Sequence, residues 1–191
     1  MNKIVLIFCC LFIAPSFKMF GQQVADFSLM NVITGSEVSL STYPSCAGLI
    51  IIFTSNTCAY DEHYWNRINM LSKEYHDNVP VLLVNSGIDQ LESKDNMVRK
   101  AQHLGLKVPY LADKDQTLMQ RLGATKTPSA FLLKNNGGTF SVVYKGAIDD
   151  NAQVQTDVRH AYLKDAVDIM LTGQKIETPE VRPVGCTIRR K

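Results

Sequence analysis

The feature that most limits how this chain can fold is an uninterrupted apolar run, Leu49–Phe53, with the sequence LIIIF. A run of strand length without alternation is typical of a strand buried on both faces. A second such run lies within Val79–Asn85. The chain has 191 residues, of which 46% are apolar, so it can form one domain with a sizeable core but not two ordinary domains with a linker.

Weaker patterns predict the remaining elements. Between the two runs, apolar residues recur every three or four positions, which indicates a helix with one buried face carrying Tyr64, Ile68, Leu71 and Tyr75. The other predicted elements are two short strands in Phe27–Leu40 around a turn at 34–36, a helix marked by Met97, Ala101 and Leu104 between Ser93 and Gly105, a short helix from Asp115 to Leu122, a hairpin of Ala130–Leu133 and Thr139–Tyr144 around Asn135–Gly138, and a helix with Val158, Tyr162, Ala166 and Ile169 that ends at Gly173. This order predicts an α/β fold in which helices cover both faces of a mixed central sheet behind an N-terminal β-hairpin.

The N-terminus has the pattern of a secretory signal peptide. Lys3 is followed by an apolar stretch over Ile4–Ala14, which is short for spanning a membrane and lacks the alternation of a strand. We expect a signal peptide over residues 1–21, cleaved near Gly21 or Gln22, and hence a periplasmic or secreted protein. The remainder divides into a domain over 22–173 and a C-terminal tail over 174–191.

Charge and cysteine content limit the function further. The full chain carries a net charge of +2, and loss of residues 1–21 removes Lys3 and Lys18 but no acidic residue, so 18 basic and 18 acidic residues remain. A neutral chain with no basic stretch before residue 189 gives little support for a nucleic-acid partner, and no apolar run is long enough for stable membrane insertion. Of the five cysteines, Cys46, Cys58 and Cys186 remain, and an odd number leaves at least one thiol free or paired outside the chain.

Cys58 is the residue best placed for chemistry. It lies between a buried strand and the start of an amphipathic helix, where free N–H groups and the helix dipole stabilise a thiolate. The nearby acids Asp61 and Glu62 oppose that effect, and a small buried apolar cysteine is the alternative interpretation. His63 is too far around the helix to share a metal with Cys58, so we expect neither a metal nor an organic cofactor.

Four segments resemble proteins of the thioredoxin superfamily. Phe53–Asp61 is similar to the active-site turn of that superfamily, and Thr125–Pro128 is similar to its cis-proline loop. Ala25–Leu29, together with Val38–Leu40, resembles the opening hairpin of redoxin and peroxiredoxin domains, and Pro183–Ile188 resembles the tail of a peroxiredoxin-like subgroup of the AhpC/TSA type. The resemblance implies a thioredoxin-like fold and a cis bond between Thr127 and Pro128.

The resemblance also implies a thiol-dependent oxidoreductase. Cys58 would attack a peroxide or a disulfide, Ser55 would orient its sulfur, Thr127 and Pro128 would shape the substrate groove, and a thiol reductant would close the cycle. Three positions depart from the family patterns. Asp61 stands where thioredoxins have their second cysteine, Ile51 where peroxiredoxins have proline, and Ala59 where the subgroup usually has proline.

The partner of Cys58 must therefore come from elsewhere. Cys46 precedes the strand that leads to Cys58, so we expect it at the far end of that strand, beyond disulfide reach. Cys186 lies in a tail long enough to fold back, and Gly185 permits a tight backbone turn beside it. Pairing of Cys58 with Cys186 and pairing with another chain both remain open. A binding module, or a redox sensor, with a structural Cys58–Cys186 disulfide is the alternative to an enzyme.

Overall fold

The computed structural model describes residues 21–191, so the predicted signal peptide falls almost wholly outside the described residues. The strands are β1 Gln23–Val24, β2 Ser28–Asn31, β3 Glu37–Ser39, β4 Gly48–Phe53, β5 Val81–Asn85, β6 Tyr110–Ala112, β7 Lys126–Thr127, β8 Ser129–Asn136, β9 Thr139–Gly146, β10 Glu180–Val181 and β11 Cys186–Thr187. The helices are α1 Ala59–Glu62, α2 Trp65–Tyr75, α3 Lys94–Leu104, α4 Thr117–Leu122 and α5 Tyr162–Leu171.

Within the described range, the main sheet has the order β1-β9-β8-β4-β5-β6-β2-β3, with β10 also paired to β9. Strands β4, β5 and β6 are parallel, whereas β8 runs antiparallel to β4 on its other side. The apolar run of β4 is completely buried at the centre of this sheet, as its composition predicts. A separate small sheet joins β11 to β7.

Two hydrophobic cores lie on the two faces of the main sheet. Ile50 and Ile52 of β4 contribute to the core that contains the buried faces of α2, α3 and α5. The intervening residues Leu49, Ile51 and Phe53 contribute to the other core, together with residues from α4 and the N-terminal hairpin. A mixed sheet with helices on both faces and an N-terminal hairpin confirms the predicted α/β class.

Local capping signals are also confirmed. The Ser93 hydroxyl accepts a hydrogen bond from the Asn96 N–H at the start of α3, and Gly105 ends that helix in the left-handed region at φ +58°. Gly137 and Gly138 both have positive φ in the turn between β8 and β9, as a tight hairpin requires. In residues 21–191, none of the helices has the length and apolar character needed to cross a membrane.

Two predicted helices were wrong in their bounds. The helix after Cys58 is divided into α1 and α2, because the N–H groups of His63 and Tyr64 bond to carbonyls three residues back rather than four. Val158 precedes the last helix, which begins at Tyr162, and the buried face of this helix consists of Leu163, Ala166, Val167 and Met170. Strand β6 and the short strands β1, β7, β10 and β11 were not predicted.

Candidate active site

Cys58 lies at the junction between β4 and α1, where it is the N-cap residue and only 2% exposed. It forms a disulfide with Cys186, with an S–S distance of 2.05 Å and a Cα–Cα distance of 5.8 Å. The Cys58 Sγ also lies 3.3 Å from the carbonyl oxygen of Thr127. Three segments distant in sequence therefore meet at one sulfur atom.

The third of these segments is the loop around Pro128. The Thr127–Pro128 peptide bond is cis, as the resemblance implies. Immediately before it, β7 pairs antiparallel with β11, so that Cys186 lies opposite Thr127 and Thr187 opposite Lys126. The tail thus lies as an extended strand along the edge of the segment that leads into the cis-proline.

Gly185 is required beside Cys186 for a reason that differs from the expected one. Its φ is not positive, but a Cβ at this position would lie 2.1 Å from the Thr127 carbonyl oxygen. Real Cβ atoms do not approach this closely, so only glycine allows the tail backbone to lie against Thr127 here. The requirement is close approach between two backbones, not a tight turn.

The turn that precedes Cys58 is held by a buried carboxylate. Glu92, which is 3% exposed, accepts hydrogen bonds from the hydroxyls of Ser55 (2.6 Å) and Thr57 (2.7 Å) and from the N–H groups of Asn56 (2.8 Å) and Thr57 (3.1 Å). The side chain of Asn85 donates a fifth hydrogen bond, at 2.7 Å. Burial alone would raise the pKa of Glu92, but these donors outweigh burial and lower it. The ionised carboxylate therefore fixes the backbone of the active-site turn.

A second carboxyl group, that of Asp61, lies one helical turn after Cys58 and is 0% exposed. Its Oδ2 accepts a hydrogen bond from the Ser55 N–H at 3.2 Å, whereas its Oδ1 has no partner among the described residues. Burial raises the pKa of Asp61 to about 7, and Thr54, Ser55, Thr127 and Lys100 only partly oppose that rise. Near neutral pH, the site thus contains a carboxyl group that can hold or release a proton.

Comparison with known proteins places this site in a family. The model of the AhpC/TSA family matches residues 20–149, which is more than half of the chain. The chain belongs to the AhpC/TSA family. A curated relative, the thiol-disulfide oxidoreductase ResA of Geobacillus thermodenitrificans, is 27% identical over 124 residues, which cover 64% of this chain and 68% of ResA.

Solved structures agree with the fold of this AhpC/TSA-family chain. An uncharacterized conserved protein of Geobacillus kaustophilus superposes with a TM-score of 0.80 at 28% identity, covering 91% of this chain and 94% of that protein. The exposed lipoprotein thioredoxin of Streptococcus pneumoniae superposes with a TM-score of 0.57 at 23% identity, covering 75% and 99% of the two chains. The predicted thioredoxin-like fold is therefore confirmed.

The structure also locates the other candidate residues of this AhpC/TSA-family site. The Ser55 hydroxyl bonds to Glu92 and lies 3.2 Å from the Thr57 hydroxyl, so it belongs to the buried turn, and a role in orienting sulfur stays a prediction. Cys46 precedes β4, whereas Cys58 follows it, and the free Cys46 thiol donates to the Tyr43 carbonyl oxygen at 3.3 Å. Helix α1 is a single turn, so its dipole is weaker than that of the amphipathic helix predicted to begin after Cys58.

Sequence reasoning missed two residues of the site. Glu92 lies 35 or more residues from the turn that it holds, and no motif links the two segments. Gln116 is completely buried and has φ +59°, in the left-handed region that a glutamine seldom adopts. Its side chain donates to the Arg189 carbonyl oxygen at 2.7 Å and accepts from the Lys191 N–H at 2.9 Å. A buried side chain therefore holds the end of the tail by its backbone.

Proposed function

We propose that this chain is an exported thiol–disulfide oxidoreductase in which Cys58 is the nucleophile and Cys186 its resolving partner. The observation that carries the proposal is the disulfide between these two residues beside the cis-proline loop. Asp61 occupies the position three residues after Cys58, so a partner within the turn is impossible, and the tail supplies one instead. The kinship with a protein named as a thiol-disulfide oxidoreductase supports the same chemistry.

The proposed reaction begins with both cysteines reduced. The Cys58 thiolate attacks one sulfur of a substrate disulfide, forming a mixed disulfide, and the other substrate sulfur leaves with the electron pair and takes up a proton. The Cys186 thiolate then attacks Cys58 Sγ, so that the Cys58–Cys186 bond forms and the second substrate thiol is released. The substrate has gained two electrons, which an external thiol reductant must return to the protein.

Burial controls access to this chemistry. Cys58 is 2% exposed when the tail covers it, so a substrate reaches the sulfur only after the disulfide opens. Thr127 and Pro128 then form one wall of the groove in which a substrate lies. The Asp61 carboxyl group, with its pKa raised to about 7 by burial, is available to exchange a proton near the reacting sulfur.

Peroxide reduction is the second candidate function, because the matched family is AhpC/TSA. Attack of the Cys58 thiolate on a peroxide oxygen gives a sulfenic acid and releases water or an alcohol, and condensation with the Cys186 thiol then releases water and forms the same disulfide. Disulfide exchange is favoured because the Ser55 hydroxyl is engaged by Glu92 and Ile51 stands where peroxiredoxins have proline.

Consumption of two oxidants separates the two candidates. Purified protein is supplied with dithiothreitol and either a protein disulfide or hydrogen peroxide. Cys58→Ser serves as the inactive variant, and Cys46→Ser serves as the matched control. We expect disulfide reduction that Cys58→Ser abolishes and Cys46→Ser leaves intact. Faster turnover of peroxide than of disulfide would assign the chain to the second candidate.

A binding module or a redox sensor with a permanent disulfide predicts a different result. In that case the Cys58–Cys186 bond has a reduction potential below about −300 mV and neither oxidant is consumed. An enzyme requires a Cys58–Cys186 disulfide whose reduction potential is high enough for its thiol reductant to reduce it. Equilibration of the protein with dithiothreitol mixtures of known ratio measures that potential.

Export follows from the N-terminal pattern and is part of the proposal. N-terminal sequencing of protein recovered from its source cell should find a chain that begins near Gly21 or Gln22. An intact Met1 in the cytosolic fraction would contradict export.

A further inference from the structure

Residues 185–191 are held in the groove beside Cys58 by hydrogen bonds as well as by the disulfide. The N–H of Ile188 donates to the Thr125 carbonyl oxygen at 2.9 Å, and the Lys126 ammonium donates to the Gly185 carbonyl oxygen at 3.0 Å. Together with the pairing of Cys186 and Thr127, these bonds fix the register of the tail along β7. The tail therefore lies as a bound extended peptide does when it adds a strand to a sheet edge.

Side chains of the tail contribute their own contacts. Ile188 is 9% exposed and belongs to the core that also contains Phe53 and Leu118. Gly185 leaves no room for a side chain beside the Thr127 carbonyl oxygen. The contacts of a tail peptide thus select three features: glycine before the cysteine, cysteine itself, and an aliphatic residue two positions after it.

The contacts that hold residues 189–191 depend less on which side chains the tail carries. Gln116 bonds to the backbone carbonyl of Arg189 and the backbone N–H of Lys191, which any residues other than a proline at 191 would supply. The Arg189–Asp89 ion pair is 3.0 Å long but largely exposed on both sides, so it adds little affinity. Selectivity therefore resides in Gly185, Cys186 and Ile188.

We propose that residues 185–191 are a tethered pseudo-substrate that occupies the groove beside Cys58 in place of a segment of a partner protein. That partner segment carries glycine before its cysteine and an aliphatic residue two positions after the cysteine. This inference rests on the proposed function, because it names the substrate segment of the same site. The tail competes with that segment. A partner must displace residues 185–191 from β7 before its cysteine reaches Cys58.

Peptides of defined sequence test the selectivity. The parent peptide has the sequence of residues 182–191 with its cysteine joined in a disulfide to 2-thiopyridine, and two further peptides carry Gly185→Ala or Ile188→Ser. The acceptor is the full-length reduced protein, in which Cys58 is the one cysteine kept; the substitutions are Cys9→Ser, Cys10→Ser, Cys46→Ser and Cys186→Ser. The Cys58 thiolate attacks the peptide sulfur, a mixed disulfide forms, and 2-thiopyridone leaves with the electron pair and gains a proton. Its absorbance gives the rate.

We expect the parent peptide to react at least about tenfold faster than either altered peptide. Ile188→Ser loses one buried aliphatic side chain, which changes binding by about that factor. Gly185→Ala places a Cβ against the Thr127 carbonyl oxygen and prevents the close approach of the two backbones. Dithiodipyridine, which carries no peptide, measures the reactivity of Cys58 itself. If all three peptides react within about twofold of one another while dithiodipyridine reacts, the inference is overturned and the proposed function stands. If dithiodipyridine also fails to react, both are overturned.

A change in the protein tests the competition. Ile188→Ser, added to the acceptor, removes the buried anchor of the tail, and we expect the parent peptide to react several-fold faster. Leu171→Ser is the matched control, because Leu171 is an exposed aliphatic residue at the end of α5. An unchanged rate in a folded Ile188→Ser acceptor contradicts competition by the tail. Should that acceptor fail to fold, the peptide series alone decides.

Discussion

Replacement of Asp61 by asparagine should make the stability of this protein less dependent on pH. Asp61 is completely buried, and burial raises its pKa from 3.8 to about 7. Between these two values the folded protein binds a proton that the unfolded chain does not, so the stability of the folded state falls as pH rises through this range. Above about pH 7 the Asp61 carboxyl group is ionised in both states, so the loss of stability stays at its full value.

The magnitude follows from the difference between 3.8 and about 7, since a difference of one between the folded and unfolded pKa is worth about 1.4 kcal/mol. Ionisation of Asp61 therefore lowers the free energy of unfolding by about 4 kcal/mol above pH 8, and roughly 2 to 3 kcal/mol of this appears between about pH 5 and about pH 8.5. Asparagine cannot ionise, so the Asp61→Asn variant gains that amount relative to the wild type over the same interval.

Urea unfolding of the oxidised protein at several pH values measures this difference. The single tryptophan, Trp65, is buried at the start of α2 and reports unfolding by fluorescence. Asp115→Asn is the control, since the Asp115 carboxyl group is 93% exposed. The measurement uses only the change with pH in the difference between the two free energies of unfolding. Any pH-independent cost of the new amide therefore cancels. A constant difference between Asp61→Asn and wild type from pH 5 to pH 8.5 would refute the reasoning.

Three further perturbations have defined outcomes. The Cys58–Cys186 disulfide closes a loop with a sequence separation of 128, so its reduction should cost about 5 kcal/mol of stability in urea unfolding, and a loss below about 1 kcal/mol would contradict this. Glu92→Gln removes the charge that accepts five hydrogen bonds and should destabilise the protein by at least about 3 kcal/mol, whereas the exposed change Glu177→Gln should have almost no effect. Ser93→Ala removes the N-cap hydrogen bond of α3 and should cost about 1 kcal/mol, with Thr156→Ala as the exposed control; a wild-type midpoint for Ser93→Ala would argue against this contribution.

The elements that could be predicted from sequence are those whose stability is encoded locally. Strand β4 is an unbroken apolar run, α3 has its capping serine and terminal glycine, and the β8–β9 hairpin has two glycines at its turn. Each of these signals lies within the element that it predicts. For the same reason the sequence correctly predicted that Cys58 lies between β4 and a helix, although that helix is the single turn α1.

Elements that depend on distant partners could not be predicted in this way. Strands β10 and β11 have two residues each, and their order comes from pairing with β9 and β7. Glu92 is an ordinary acidic residue in sequence and becomes part of the site only because the fold places it against the turn at 55–57. The break between α1 and α2 is a different case, because it depends on local backbone bonding that the apolar spacing does not reveal.

Trapping of the reaction intermediate tests most directly whether Cys58 attacks and Cys186 resolves. Reduced wild-type protein and the Cys186→Ser variant are each mixed with one equivalent of a disulfide substrate, quenched with acid, and mapped by non-reducing peptide mass spectrometry. We predict that the variant accumulates substrate on Cys58, while the wild type yields the Cys58–Cys186 disulfide and free substrate thiol. Accumulation of substrate on Cys46 or Cys186 in the wild type, with Cys58 unmodified, would contradict the account.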